Sequence, residues 1–81
     1  MSMTTDEHQM LAQLAEAGGH LTYSKQSPAQ MRHLAGVARV LHSMGFVTTK
    51  VHENHMEASK PVDLVVVALT RKGGEYLAEQ S

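Results

Sequence analysis

Eighty-one residues with no cysteine and a formal charge of −1 make one small domain and leave no room for a second. They exclude disulfides, thiolate chemistry and cysteine-ligated zinc. They also give no global pull toward nucleic acid, so DNA binding has to come from local clustering of the seven basic residues.

A chain this short buries only about 60–65% of the surface its unfolded form exposes, so association with a second chain is the natural source of further burial. No apolar run approaches the roughly 20 residues of a membrane span. The polar, acidic start from Met1 to Gln9 reads as neither a signal nor a transit peptide. The expectation is a cytoplasmic chain with no membrane association.

Thr4 and Glu7 stand at capping-box spacing and open a helix, with residues 1–4 expected to be disordered ahead of it. Met10, Leu11, Leu14 and Ala17 recur at helical spacing, and Gly18-Gly19 ends the run. The first predicted helix covers 5–17. His20-Leu21-Thr22-Tyr23 alternates as a short strand, and Ser24-Lys25-Gln26 reads as a turn. Ser27-Pro28-Ala29-Gln30 is the clearest local signal. Ser27 caps, Pro28 suits the first helical position, and Gln30 is placed to reach back to the Ser27 amide.

That second helix runs to Met44 and stops at Gly45, with Met31, Leu34, Val37, Ala38, Leu41 and Met44 on one face. Residues 46–53 read as a strand, with Val47, Thr49 and Val51 on one side. Residues 54–61 are polar and turn-prone. Leu64 to Leu69 is a continuous apolar run rich in β-branched residues, a strand that forms a hairpin with the preceding one. Thr70 caps a last helix over 71–79 that buries Tyr76 and Leu77.

The order helix, strand, helix, strand, strand, helix, with Gly45-Phe46-Val47 leading from helix into hairpin, resembles the winged helix-turn-helix family. Leu69-Thr70-Arg71-Lys72-Gly73-Gly74-Glu75-Tyr76-Leu77 is similar to the stretch after the wing in small MarR- and PadR-like regulators. There a strand ends in Leu-Thr, and a basic, glycine-containing turn opens a helix carrying Tyr-Leu. The resemblance covers 4–79 in element order and 41–47 and 69–77 in residue pattern. It implies a single α+β winged-helix-like domain over 1–81 with a DNA-binding second helix. One part of the family's pattern is missing. Residues 19–27 are too few for a separate positioning helix, and no turn residues accompany Gly36 to split the stretch from Pro28 to Met44.

At 100° per residue, Arg32, His33, Gly36, Arg39 and Ser43 fall opposite the apolar stripe of the second helix. Arg32 and Arg39 are two turns apart, a spacing suited to neighbouring phosphates or base edges. The plainer alternative is the solvated face of an amphipathic helix. With Gln30 beside them, these residues make the candidate reading face, and Lys25, Lys50, Arg71 and Lys72 are candidate phosphate contacts. Arg71 and Lys72 oppose the dipole of the helix they open, which hints at an anion there.

The hairpin tip from His52 to Lys60 is less suited to DNA, because Glu53 and Glu57 would repel phosphate. His52, His55, Glu53 and Glu57 do not read as a metal site, since a strand turns His52 and His55 to opposite faces. The six histidines are scattered. Leu64, Val65, Val66 and Val67 do not alternate, so both faces of that strand are expected to be covered, one by a second protomer or a partner protein, the plainer alternative being that the first and last helices wrap it.

No nucleophile-base pattern, P-loop, dinucleotide glycine fingerprint or HExxH sequence occurs. Neither catalysis nor a cofactor is expected. Two functions remain open. One is a homodimeric winged-helix transcriptional regulator that binds DNA. The other is a winged-helix protein-interaction module, a small inhibitor or adaptor that does not.

Overall fold

A computed structural model describes residues 5–54, 56 and 61–80. The elements in chain order are α1 (Thr5–Glu16), β1 (His20–Ser24), α2 (Pro28–Ser43), β2 (Val47–Glu53), β3 (Val62–Leu69) and α3 (Arg71–Gln80). This is the α+β order expected from the sequence. The Thr4 cap, the expectation for residues 1–4 and most of the hairpin tip lie outside the described residues.

Both long helices end by the same device. Gly18 (φ 81°) lets its amide donate to Ala15 O, while the Gly19 amide donates to Leu14 O at 2.7 Å. Gly45 (φ 81°) does the same at the end of α2, with Gly45 N bonded to His42 O and Phe46 N to Leu41 O at 3.1 Å. These paired bonds satisfy carbonyls that a helix end leaves open, and the left-handed residue they require favours glycine.

At the other end of α2, Ser27 is extended and its Oγ accepts from the Gln30 amide at 3.2 Å, with Pro28 following. Among the described residues the reciprocal bond expected from the Gln30 side chain is not formed; Gln30 instead lines a cleft beside α1. Helix α2 is continuous through Gly36, so no positioning helix stands between β1 and α2.

The three strands form one antiparallel sheet in the order β1-β3-β2. Leu21 and Tyr23 on β1, Val65 and Val67 on β3, and Val47 and Val51 on β2 point to the helix side. There they meet Met10, Leu11 and Leu14 of α1 and Met31, Ala35, Ala38 and Leu41 of α2. Burying each large aliphatic side chain is worth about 1.5–3 kcal/mol, so this single layer of contact supplies most of the driving force.

Helix α3 is anchored by Thr70. Its hydroxyl donates to Gly45 O at 2.6 Å and accepts from the Gly73 amide at 3.1 Å. Tyr76 of α3 then stacks on Phe46, with ring centroids 4.7 Å apart.

The Val-rich strand corrects one expectation. Val65 and Val67 are fully buried in the chain's own core and are not available to a partner. Only Leu64, Val66 and Ala68 face the other way, and they are half-buried. Because β3 is central, each has a neighbour on both sides. His20 and Thr48 flank Ala68, Thr22 and Lys50 flank Val66, and Ser24 and His52 flank Leu64. Flanking residues on β1 and β2 thus cover part of this outer face and leave the Leu64, Val66 and Ala68 row half-buried.

Candidate nucleic-acid interface

The outward side of α2 carries Arg32, Gly36, Arg39, Val40 and Ser43, all exposed. A Cβ built on Gly36 would meet nothing within 4 Å, so the middle of this face is open. Arg32 is exposed and forms no ion pair among the described residues. Arg39 lies within 3.8 Å of Glu53 at the end of β2, and the two side chains are 60% and 36% exposed. A pair this open contributes little stability, but it sets a carboxylate against one of the two arginines. The Ser43 hydroxyl donates to Val40 O at 2.6 Å, which ties it back to its own helix.

The remaining cations do not gather beside that face. Lys25 sits in the turn before α2 with φ 59°, whereas Arg71 and Lys72 open α3 next to Gly45, beyond the far end of α2. Those two ends are about 24 Å apart, the length of a 16-residue helix. Lys72 lies over the Phe46 ring, 5.6 Å from its centroid, and Arg71 pairs with Glu75 one turn on. Lys50 stands opposite Val66 on the outer side of the sheet, away from α2. The sequence-predicted cations therefore occupy four separate places: Lys25 before α2, Lys50 on the sheet, Arg71 and Lys72 at the start of α3, and Arg32 and Arg39 on the open face of α2.

Gln30 and His33 belong to a different surface. They lie on the flank of α2 that faces α1, where His33 Nε2 is 3.1 Å from Asp6 Oδ2. Between the two helices and β1 runs a cleft of about 250 Å³, lined by Asp6, Gln9, Met10 and Gln13 from α1, Tyr23 and Gln26 around β1, and Gln30, His33, Leu34 and Val37 from α2. The Tyr23 hydroxyl donates to Gln13 Oε1 at 2.8 Å. Burial raises the Tyr23 phenol above its ordinary value, since the surrounding apolar atoms disfavour its anion. The sequence gives little warning of this cleft: glutamines on α1, a turn and α2 share no periodic pattern, and only the Gln9–Gln13 spacing marks one wall.

Among the described residues no group of three or more His, Cys, Asp or Glu is placed to hold a metal ion; His55 and Glu57 lie outside them. No described helix is long and apolar enough to cross a membrane. Compared with known proteins, the chain matches no family model, no curated protein and no solved structure.

Proposed function

We propose that the chain is a small winged-helix DNA-binding regulator that acts in the cytoplasm as a homodimer and performs no catalysis. The observation that carries this reading is the open face of α2, where Arg32 and Arg39 flank a bare Gly36. Gly36 permits close approach of the helix backbone to a major groove, and two arginines two turns apart can address phosphates or base edges. The resemblance in element order and in the Leu69–Leu77 pattern supports it. Lys25 at one end of α2 and Arg71 and Lys72 beyond the other would meet flanking phosphates. In the homodimer, the Leu64–Val66–Ala68 row is the surface offered to the second copy.

The test is DNA binding by the whole chain at about 50 mM and about 200 mM salt, with Arg32→Ala alongside. A protein making several phosphate contacts loses affinity steeply over that range. Arg32→Ala is expected to weaken binding without altering the helical signal. Binding that is absent at low salt, or untouched by Arg32→Ala, overturns the reading.

The second reading, a protein-interaction module, is favoured by one specific feature. Glu53 partly neutralises Arg39, and the chain's formal charge is −1. Under this reading the Leu64–Val66–Ala68 row meets a partner protein, and salt has no DNA complex to weaken.

A further inference from the structure

We propose that the cleft between α1, β1 and α2 binds a small, uncharged, planar heterocycle whose edge carries both hydrogen-bond donors and acceptors, as a nucleobase or a pyridine carboxamide does. The inference stands apart from DNA binding, because Gln30 and Arg32 lie on opposite flanks of α2.

The chemistry of the walls selects this class. No lysine or arginine lines the cleft, and its one carboxylate, Asp6, lies 3.1 Å from the His33 ring. An anion would meet the Asp6 carboxylate with no lysine or arginine beside it. Four glutamines, Gln9, Gln13, Gln26 and Gln30, line it from α1, the turn and α2, and the Gln26 amide donates to Ser24 O at 3.5 Å.

Each primary amide offers an acceptor and two donors in one plane, the complement of a heterocycle edge that alternates the two. Gln13 is already oriented, because its Oε1 accepts from Tyr23 and its Nε2 hydrogens are left for a ligand. The Gln9 and Gln30 side chains form no hydrogen bond among the described residues. A wholly apolar ligand would strip water from these amides and return nothing.

Met10, Leu34 and Val37 provide the apolar wall. Met10 is 3% exposed and Val37 9%, so that wall is part of the fixed core rather than a mobile surface. About 250 Å³ lies just below the usual range for drug-sized ligands, which limits the occupant to one or two fused rings.

The experiment is two-dimensional amide NMR of the full chain, titrated separately with adenine, nicotinamide, benzoate and glucose. Adenine or nicotinamide is expected to shift the side-chain amides of Gln9, Gln13 and Gln30 saturably. The expected Kd is about 1 mM or tighter, the affinity of a well-fitted ligand of about ten non-hydrogen atoms. Benzoate and glucose are expected to shift none of them.

The double variant Gln9→Leu/Gln30→Leu should weaken binding about tenfold, as loss of two ligand hydrogen bonds would. Both positions are exposed, so the fold survives; unshifted backbone amides of Val65 and Val67 verify that. Three results would overturn the proposal: no saturable shift up to about 10 mM ligand, equal responses to benzoate or glucose, or unchanged affinity in the double variant.

Discussion

A Cβ on Gly73 would fall inside the carbonyl oxygen of Phe46 and press on Leu69 Cδ1. The obstacle is backbone, held in turn by the Thr70 amide that bonds the same oxygen at 3.0 Å, so it cannot swing away as a side chain could. Gly73→Ala is expected to lower stability by about 3 kcal/mol or more. For Gly74 the nearest atom to a new Cβ is Leu69 Cδ2 at 4.0 Å, and Gly74→Ala should raise stability by about 0.5–1 kcal/mol through helix propensity. Urea denaturation midpoints of the two variants check both signs. Equal losses would mean that the close approach is not what Gly73 serves.

Thr70 joins three segments through one hydroxyl. Thr70→Val keeps the shape but removes the cap on Gly73 and the bond to Gly45 O. A loss of about 1–2 kcal/mol is expected, with Thr70→Ser recovering most of it. Hydrogen exchange at the Gly73 amide should quicken in the valine variant and not in the serine one.

The Tyr23 phenol gives the alkaline limb of stability a definite sign. Burial raises its folded pKa above the unfolded value. Its contribution is therefore fully present below about pH 10, the ordinary phenol value, and is lost as pH rises through the higher folded value. Tyr23→Phe should flatten that decline relative to the parent chain. Near neutral pH it should cost about 0.5–1 kcal/mol, since it loses only the exposed bond to Gln13. Denaturation curves at stepped pH separate the two effects.

Glu53→Gln frees Arg39 and removes a carboxylate from the DNA-facing side. On the regulator reading, DNA affinity should rise about threefold at low salt and less at high salt. Fluorescence anisotropy with a fixed duplex measures it. An unchanged affinity would place Arg39 outside the contact surface.

The two faces of β3 should respond differently to substitution. Val67, fully buried, should cost about 2–3 kcal/mol when cut to alanine. On the homodimer reading, Val66→Lys, on the outer row, should leave the circular dichroism spectrum intact while converting the dimer to a monomer in sedimentation. A dimer that survives this change does not use that face.

Most of the fold was legible because local chemistry marks it. Ser27-Pro28, Gly18 and Gly45 set the ends of helices to within about a residue, and the spacing of Met10, Leu11 and Leu14 predicted the buried side of α1. Strand order was not legible. Nothing in His20–Ser24 indicates that it pairs with Val62–Leu69, and without that pairing the Val-rich run reads as a strand in need of a second chain.

The candidate site was legible only along one helix. Periodicity placed Arg32 and Arg39 outward, but it could not foresee that Glu53 folds back beside Arg39 or that Lys50 takes the far face of the sheet. It also assigned His33 to the outward side by angle alone, with Gln30 joining that face only as a neighbour. The neighbouring helix that claims them, through Asp6 and the cleft, is a tertiary fact.

β3 is the last strand in the chain and the one that joins the other two. During synthesis, β1 and β2 have no ladder to enter and the oily sides of α1 and α2 have no sheet to close on until Val62–Leu69 leaves the ribosome. Such late, long-range closure makes folding a single delayed event rather than a stepwise one. A nascent chain stalled ahead of Val62 would therefore be a substrate for chaperones that capture exposed apolar helices.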